Sequence, residues 1–162
     1  MAQGEPSSQE AAYGKSVSDL RRLLANLDPP LSPRTVSGIA DTDYLMRSIR
    51  KEFGLLSQDE ALEILSIAQA EHIFERLDDR VIRFNYGSAE VYPGFQFDRS
   101  TRTVFRVITQ LLYLRQGNFT SLGLACWLCS PSGYFDGARP VDFLDQESRV
   151  LGAARSHYQA RW

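Results

Sequence analysis

The sequence predicts a mostly α-helical fold: a small helical domain with a helix-turn-helix-like pair and one wing-like β-hairpin, followed by a C-terminal helical lobe. Three observations predict it. Apolar residues recur at three- and four-residue steps through most of the chain, a period-two stretch occurs once, at "RVIRFNYGSAEVY", and proline and glycine clusters cut the helical pattern into short pieces. With 162 residues, 43% hydrophobic and 23% charged, the chain can bury a core and has the balance of a globular protein.

Each element follows in order. Residues 1–15 are small and polar and are expected to form a disordered tail, followed by an N-terminal helical region over 16–90 and the C-terminal lobe over 91–162. Val17, Leu20, Leu24 and Leu27 form a helical stripe ended by Asp28-Pro29-Pro30. After a linker, "PPLSPRT", Asp41 or Thr42 is expected to cap a helix with Leu45, Ile49 and Phe53 on its stripe, stopped at Gly54. Ser57 and Glu60 have capping-box spacing, so a short helix begins there and buries Ala61, Leu62 and Leu65. A turn near Ser66–Ala68 and a second helix with Ala70, Ile73, Phe74 and Leu77 inside complete the helix-turn-helix-like pair. The hairpin, with Gly87-Ser88 for its reversal, stands where a winged helix-turn-helix carries its wing, so 57–90 reads as one winged segment. Beyond Pro93, Val104, Ile108, Leu111 and Leu112 mark a helix with Arg102 and Arg106 on its polar side. Leu122, Cys126 and Cys129 share a face of the next, and Val150, Leu151, Ala154 and Tyr158 stripe a last helix from about Gln146.

Charge is distributed unevenly. The first 79 residues are acidic on balance, whereas 80–115 carries Arg80, Arg83, Arg99, Arg102, Arg106 and Arg115 against Glu90 and Asp98. Arginine forks suit phosphate or carboxylate partners, so promoter DNA is one expected partner. The candidate DNA contacts are Arg47, Arg50, Lys51, His72, Arg76, Arg80 and Arg83. Against them stand Glu71, Glu75, Asp78 and Asp79 on the second helix of the pair, which repel phosphate. The absence of a long apolar run or a basic-then-apolar leader leads to the expectation of a cytoplasmic protein, with which two cysteines agree.

The inventory for catalysis is thin. His72 lies between Glu71 and Glu75 on a helix, and His157 has no carboxylate one turn away to orient it. Cys126 and Cys129 lack the second ligand pair of a structural zinc site, and they fall late in a helix, away from the N-terminus that activates a thiol. Packing is the better reading of the pair, with thiol-redox chemistry a distant third function. No phosphate-cradling glycine loop or nucleophile elbow occurs. The expectation is therefore a binding protein without catalytic, cofactor-binding or metal-ligating residues.

The stretch "VYPGFQFD", Val91–Asp98, concentrates three aromatic residues around a proline and a glycine. It is expected to join the hairpin to the helical lobe as an extended segment, Phe95 and Phe97 on one face in the core, with Gln96 satisfying backbone groups. A ligand pocket is the lesser reading. Tyr92-Pro93-Gly94-Phe95-Gln96-Phe97, Trp127-Leu128, Pro131, Asp136-Gly137-Ala138-Arg139-Pro140-Val141-Asp142 and Leu144, with the closing "SRVLGAARSHY", together resemble the toxin-binding domain of the Xre/MbcA/ParS-type antitoxins over about 91–158. The resemblance implies a non-catalytic antitoxin that covers the active site of a RES-class, NAD-consuming toxin, often with a promoter-binding helix-turn-helix. It implies homo-oligomers and hetero-oligomers with the toxin. Contact is then expected on the closing helix and chain end, at Arg149, Arg155, His157, Tyr158, Arg161 and Trp162, since Arg and Trp are favoured interface anchors. The alternative is a stand-alone DNA-binding transcriptional regulator whose C-terminal region only dimerises the chain.

Overall fold

A computed structural model describes residues 19, 33–66, 80–114 and 120–159. Within them the protein is mostly helical with a small antiparallel sheet, the class expected. The tail over 1–15, the apolar residues of the first expected helix and the second helix of the helix-turn-helix-like pair lie outside the described residues. The chain divides into two units, residues 1–44 and 45–162. The hairpin packs into the same cores as the later helices.

Helix α1 spans Pro33–Glu52. It begins about two turns before the cap expected at Asp41 or Thr42, inside what reads as a linker. Proline suits a first helical position, where its locked φ fits and its missing N–H is not needed. Thr42 instead lies within the helix, and its hydroxyl donates to the Gly38 carbonyl (2.8 Å). Gly54 ends the helix as expected, with φ of 82° and its amide donating to the Arg50 carbonyl (3.2 Å).

Strand β1 (Leu55–Leu56) leads into helix α2 (Gln58–Ile64). The capping box is formed: the Glu60 amide donates to Ser57 Oγ (3.3 Å) and the Ser57 amide to Glu60 Oε2 (2.7 Å). Ala61 and Leu65 are buried, while Leu62 is half-buried. The hairpin is also formed, from β2 (Phe84–Tyr86) and β3 (Ala89–Pro93) with Gly87 at φ 64°. It is not a free wing. The far edge of β3 pairs with β1, placing Leu55 opposite Pro93 and Leu56 opposite Tyr92, in a three-stranded order β1-β3-β2.

After β3 the chain makes a 3₁₀ turn at Gly94–Gln96 and a second, very short hairpin, β4 (Phe97–Asp98) with β5 (Thr103–Val104). Val104 is therefore a strand residue, and α3 runs from Arg106 to Leu114. The turn is locked by Asp98, whose carboxylate accepts from the Ser100 amide (2.8 Å) and hydroxyl (2.6 Å) and from the Thr101 hydroxyl (2.8 Å). Led by the Ser100 hydroxyl, these bonds hold the carboxyl at a pKa of about 2. Arg102, at φ 55°, does not share a helix face with Arg106. Its guanidinium reaches the Ile64, Glu63 and Leu65 carbonyls (3.4, 3.3 and 3.3 Å) and closes the C-terminal end of α2.

Helix α4 (Ser121–Cys129) is capped by Thr120, whose hydroxyl accepts from the Gly123 amide (3.0 Å). Two 3₁₀ turns, Gly133–Phe135 and Pro140–Phe143, lead to the closing helix α5 (Glu147–Gln159), which packs against α3. The larger core takes Met46 and Ile49 from α1, Ile108 and Leu111 from α3, Leu124 and Leu128 from α4, and Val150 and Ala154 from α5. A smaller core gathers Ala61, Leu65, Val81, Tyr92 and Phe97.

The stretch "VYPGFQFD" is the seam between these cores. Because it turns at Gly94–Gln96 rather than running extended, Phe95 enters the larger core and Phe97 the smaller one, not a shared face. Gln96 is 0% exposed and acts as expected: Oε1 accepts from the Ile82 amide (2.6 Å), and Nε2 donates to the Ile82 (2.9 Å) and Pro93 (3.1 Å) carbonyls. A buried amide with no partner costs about 1–3 kcal/mol, so one side chain here serves three buried backbone groups. Gly94 is required for close approach. A Cβ there would stand 2.0 Å from the Phe53 carbonyl oxygen, and its amide donates to the Gly54 carbonyl (3.0 Å).

Candidate protein-interaction face

The resembling strings converge. Phe95, Trp127, Leu128, Val141 and Leu144 all belong to the larger core, and the loop Asp136–Asp142 joins α4 to α5. Arg139 ties this loop to the end of α1. Its Nη1 and Nη2 donate to the two Glu52 carboxylate oxygens (2.7 and 2.8 Å), and its Nε and Nη2 donate to Asp142 (3.1 and 2.6 Å). The guanidinium also lies over the Phe53 ring, 5.7 Å from its centroid. These bonds, the Glu52 pair first, raise the Arg139 pKa, while Arg139 holds both carboxyls below their ordinary range.

Helix α5 buries Val150, Leu151, Ala153 and Ala154 and exposes Ser148, Arg149, Gly152, Arg155 and Ser156. Those exposed positions recur at three- and four-residue steps, so they form one outward face. Arg149 is pre-positioned on it: the guanidinium lies over the Phe143 ring (4.4 Å) and the Phe135 ring (5.0 Å), themselves stacked 5.3 Å apart. Asp136 Oδ2 stands 3.9 Å from it. Gly152 is at the centre of the face, and nothing lies within 4 Å of where a Cβ would stand. An exposed mid-helix glycine costs about 1 kcal/mol relative to alanine, and no internal contact among the described residues requires it.

Of the expected toxin contacts, Arg149 and Arg155 lie on this face. His157 and Tyr158 are half-buried on the inner side, where His157 stacks on Trp127 (5.7 Å between centroids) and Tyr158 packs against the larger core. Arg161 and Trp162 lie outside the described residues. Sequence reasoning missed Gly152, Phe135 and Phe143. The signal for the glycine was its place inside an otherwise continuous helical stripe; the two phenylalanines meet only through the fold of the loop.

The expected DNA contacts are dispersed. Arg47, Arg50 and Lys51 share an exposed face of α1, where Arg50 and Lys51 also complement its C-terminal dipole. Arg83 is engaged by Glu90, whose other oxygen accepts from the Tyr92 hydroxyl (2.9 Å). Burial, followed by that carboxylate, pushes the Tyr92 pKa up to about 12. Arg80 is half-buried with its carbonyl accepting from Thr109 (3.2 Å). His72 and Arg76 lie outside the described residues.

Cys129 is buried, 4% exposed, and burial pushes its thiol up to about 12; Cys126, half-buried, is raised by the same cause. Neither thiol is poised as a nucleophile at neutral pH. Leu122 and Cys126 lie on the flank of α4, whose deepest residues are Leu124, Ala125 and Leu128. Among the described residues no group of three or more His, Cys, Asp and Glu is placed to hold a metal ion, and no helix is long and apolar enough to cross a membrane. No protein-family model matches the chain, and neither a curated protein nor a solved structure matches it.

Proposed function

We propose that this chain is an antitoxin-type binding protein that neutralises a RES-class, NAD-consuming toxin by laying the outward face of α5 and the chain end over the toxin's active site. The observation that supports the reading is that face: two arginines flank a flat glycine that internal packing does not require, with Arg149 held in place by Phe135 and Phe143. A flat centre lets a partner approach the helix backbone closely, and an arginine already laid on aromatic rings loses less freedom on binding. The buried, unactivated thiols and the His157–Trp127 stack agree with a role in binding.

Co-expression with a RES-class toxin tests the proposal. The wild-type chain is expected to restore growth and to co-purify with the toxin. Gly152→Arg, which has open space around it and leaves the core intact, is expected to lose both while its thermal midpoint stays within a few degrees of wild type. A wild-type chain that neither restores growth nor forms a complex, or a Gly152→Arg chain that does both as well as wild type, overturns the reading.

A further inference from the structure

The two rings beneath Arg149 are held unequally. Phe135 is 1% exposed within the larger core, so packing alone fixes it. Phe143 is half-buried and packs against the outside of that core, yet the guanidinium lies nearer to it, 4.4 Å against 5.0 Å. The polar contacts of Arg149 are long, 3.4 Å to Gln146 Oε1 and 3.9 Å to Asp136 Oδ2. Its orientation therefore depends most on the less constrained ring.

Phe143 is held from both sides. After it, the Gln146 amide donates to the Phe143 carbonyl (2.9 Å) and the Arg149 amide to the Gln146 carbonyl (3.0 Å). Before it stands Arg139, whose carbonyl accepts from the Asp142 amide (3.1 Å) and whose guanidinium grips the Asp142 carboxylate (3.1 and 2.6 Å). The same guanidinium is anchored on both Glu52 oxygens and over the Phe53 ring. An unbroken series of contacts thus runs from Glu52 to Arg139, to Asp142 and its neighbour Phe143, and to Arg149.

We propose that Arg139 is a positioning residue for Arg149: through Asp142 and Phe143 it keeps that guanidinium in its outward orientation, so that Glu52, at the end of α1, helps set the affinity of the α5 face. The part that concerns affinity rests on the function proposed above. An arginine already in place has less freedom to lose on binding.

Side-chain NMR of the full chain tests the positioning without any partner. The ring currents of Phe135 and Phe143 displace the Arg149 Nε–H signal upfield, and Arg139→Met is expected to move it toward the position of a free arginine. Glu52→Gln, which keeps Arg139 and its packing on Phe53, is expected to move it the same way by less. The amide signals of Ala61 and Leu65, in the smaller core, should stay in place in both variants. An Arg149 signal that neither substitution moves, or that moves only together with those of Ala61 and Leu65, overturns the proposal.

Affinity for the RES-class toxin is the second readout. Arg139→Met is expected to weaken it by about two- to ten-fold, the cost of ordering one long side chain. In an Arg149→Met background the same substitution should cost nothing further, because the two residues act as one unit. Equal losses in both backgrounds overturn the proposal. A chain that binds no toxin while its Arg149 signal responds as stated would remove the proposed function and leave Arg139 as the positioning residue.

Discussion

Two glycines, Gly94 in the seam and Gly152 on the closing helix, are the same residue under opposite constraints. At Gly94 the Phe53 carbonyl stands where a side chain would begin, so the fold itself demands glycine. At Gly152 there is open space, so the fold would be better served by alanine. The seam is shaped by what lies inside the molecule. The outer face of α5 is shaped, on the reading proposed here, by something outside it, and substitutions in the two places should therefore change stability in opposite directions.

The largest effect is expected at the seam. Gly94→Ala forces either the end of α1 or the Gly94–Gln96 turn to move, which disturbs the Gln96 bonds to Ile82 and the Phe53–Phe95 edge-to-face contact together. A loss of about 3 kcal/mol or more in urea unfolding is expected. A loss below about 1 kcal/mol would mean that the backbone yields there and that the seam is not rigid.

A smaller effect of the other sign is expected at α5. Gly152→Ala should stabilise the chain by about 1 kcal/mol, seen as a higher urea midpoint at unchanged slope. If the proposed function holds, the same substitution should weaken the complex with the toxin, because a methyl group intrudes on the flat centre. A destabilised Gly152→Ala chain would show that the glycine serves the fold after all and would remove the contrast.

The smallest effect asks how far charge contributes to holding the seam. Glu52 and Asp142 have folded pKa values below their unfolded ones, so they stabilise the fold above the ordinary carboxylate range and lose that contribution as the pH falls through the folded values. Arg139→Met should cost about 1 kcal/mol or less at pH 7, since the pairs are partly exposed, and should cost progressively less below about pH 4. The check is urea unfolding of both chains at neutral and acid pH. An equal difference at both would assign the role of Arg139 to its packing on Phe53 rather than to its charge.

What was readable in advance was local. The Ser57–Glu60 box, the Gly87 reversal, the stop at Gly54 and the stripe Val150–Ala154 depend on residues within a turn or two of one another. The misreadings arose where locality failed. Helix α1 ran back through Thr42 because a helix tolerates a hydroxyl that bonds its own preceding turn. The β4–β5 hairpin was hidden because its strands are two residues long and "DRSTR" carries its turn signal in side-chain bonds to Asp98, not in a glycine. Helix α4 is apolar on nearly every side, so its periodicity indicated no direction, and Leu124, Ala125 and Leu128 took the deepest positions instead of the cysteine face.

The candidate sites divide in the same way. That the closing helix would be amphipathic, and that Arg149 and Arg155 would stand away from its stripe, followed from spacing alone. That Gln96 would serve backbone groups followed from placing a polar residue among aromatics. Only the tertiary structure brought Phe135 and Phe143 beneath Arg149, made Arg102 the closing group of α2, and joined Arg139 to Glu52 across 87 positions. The physical reason is range: capping and periodicity act within about one helical turn, whereas a cation over a ring exists only after distant segments have been packed together.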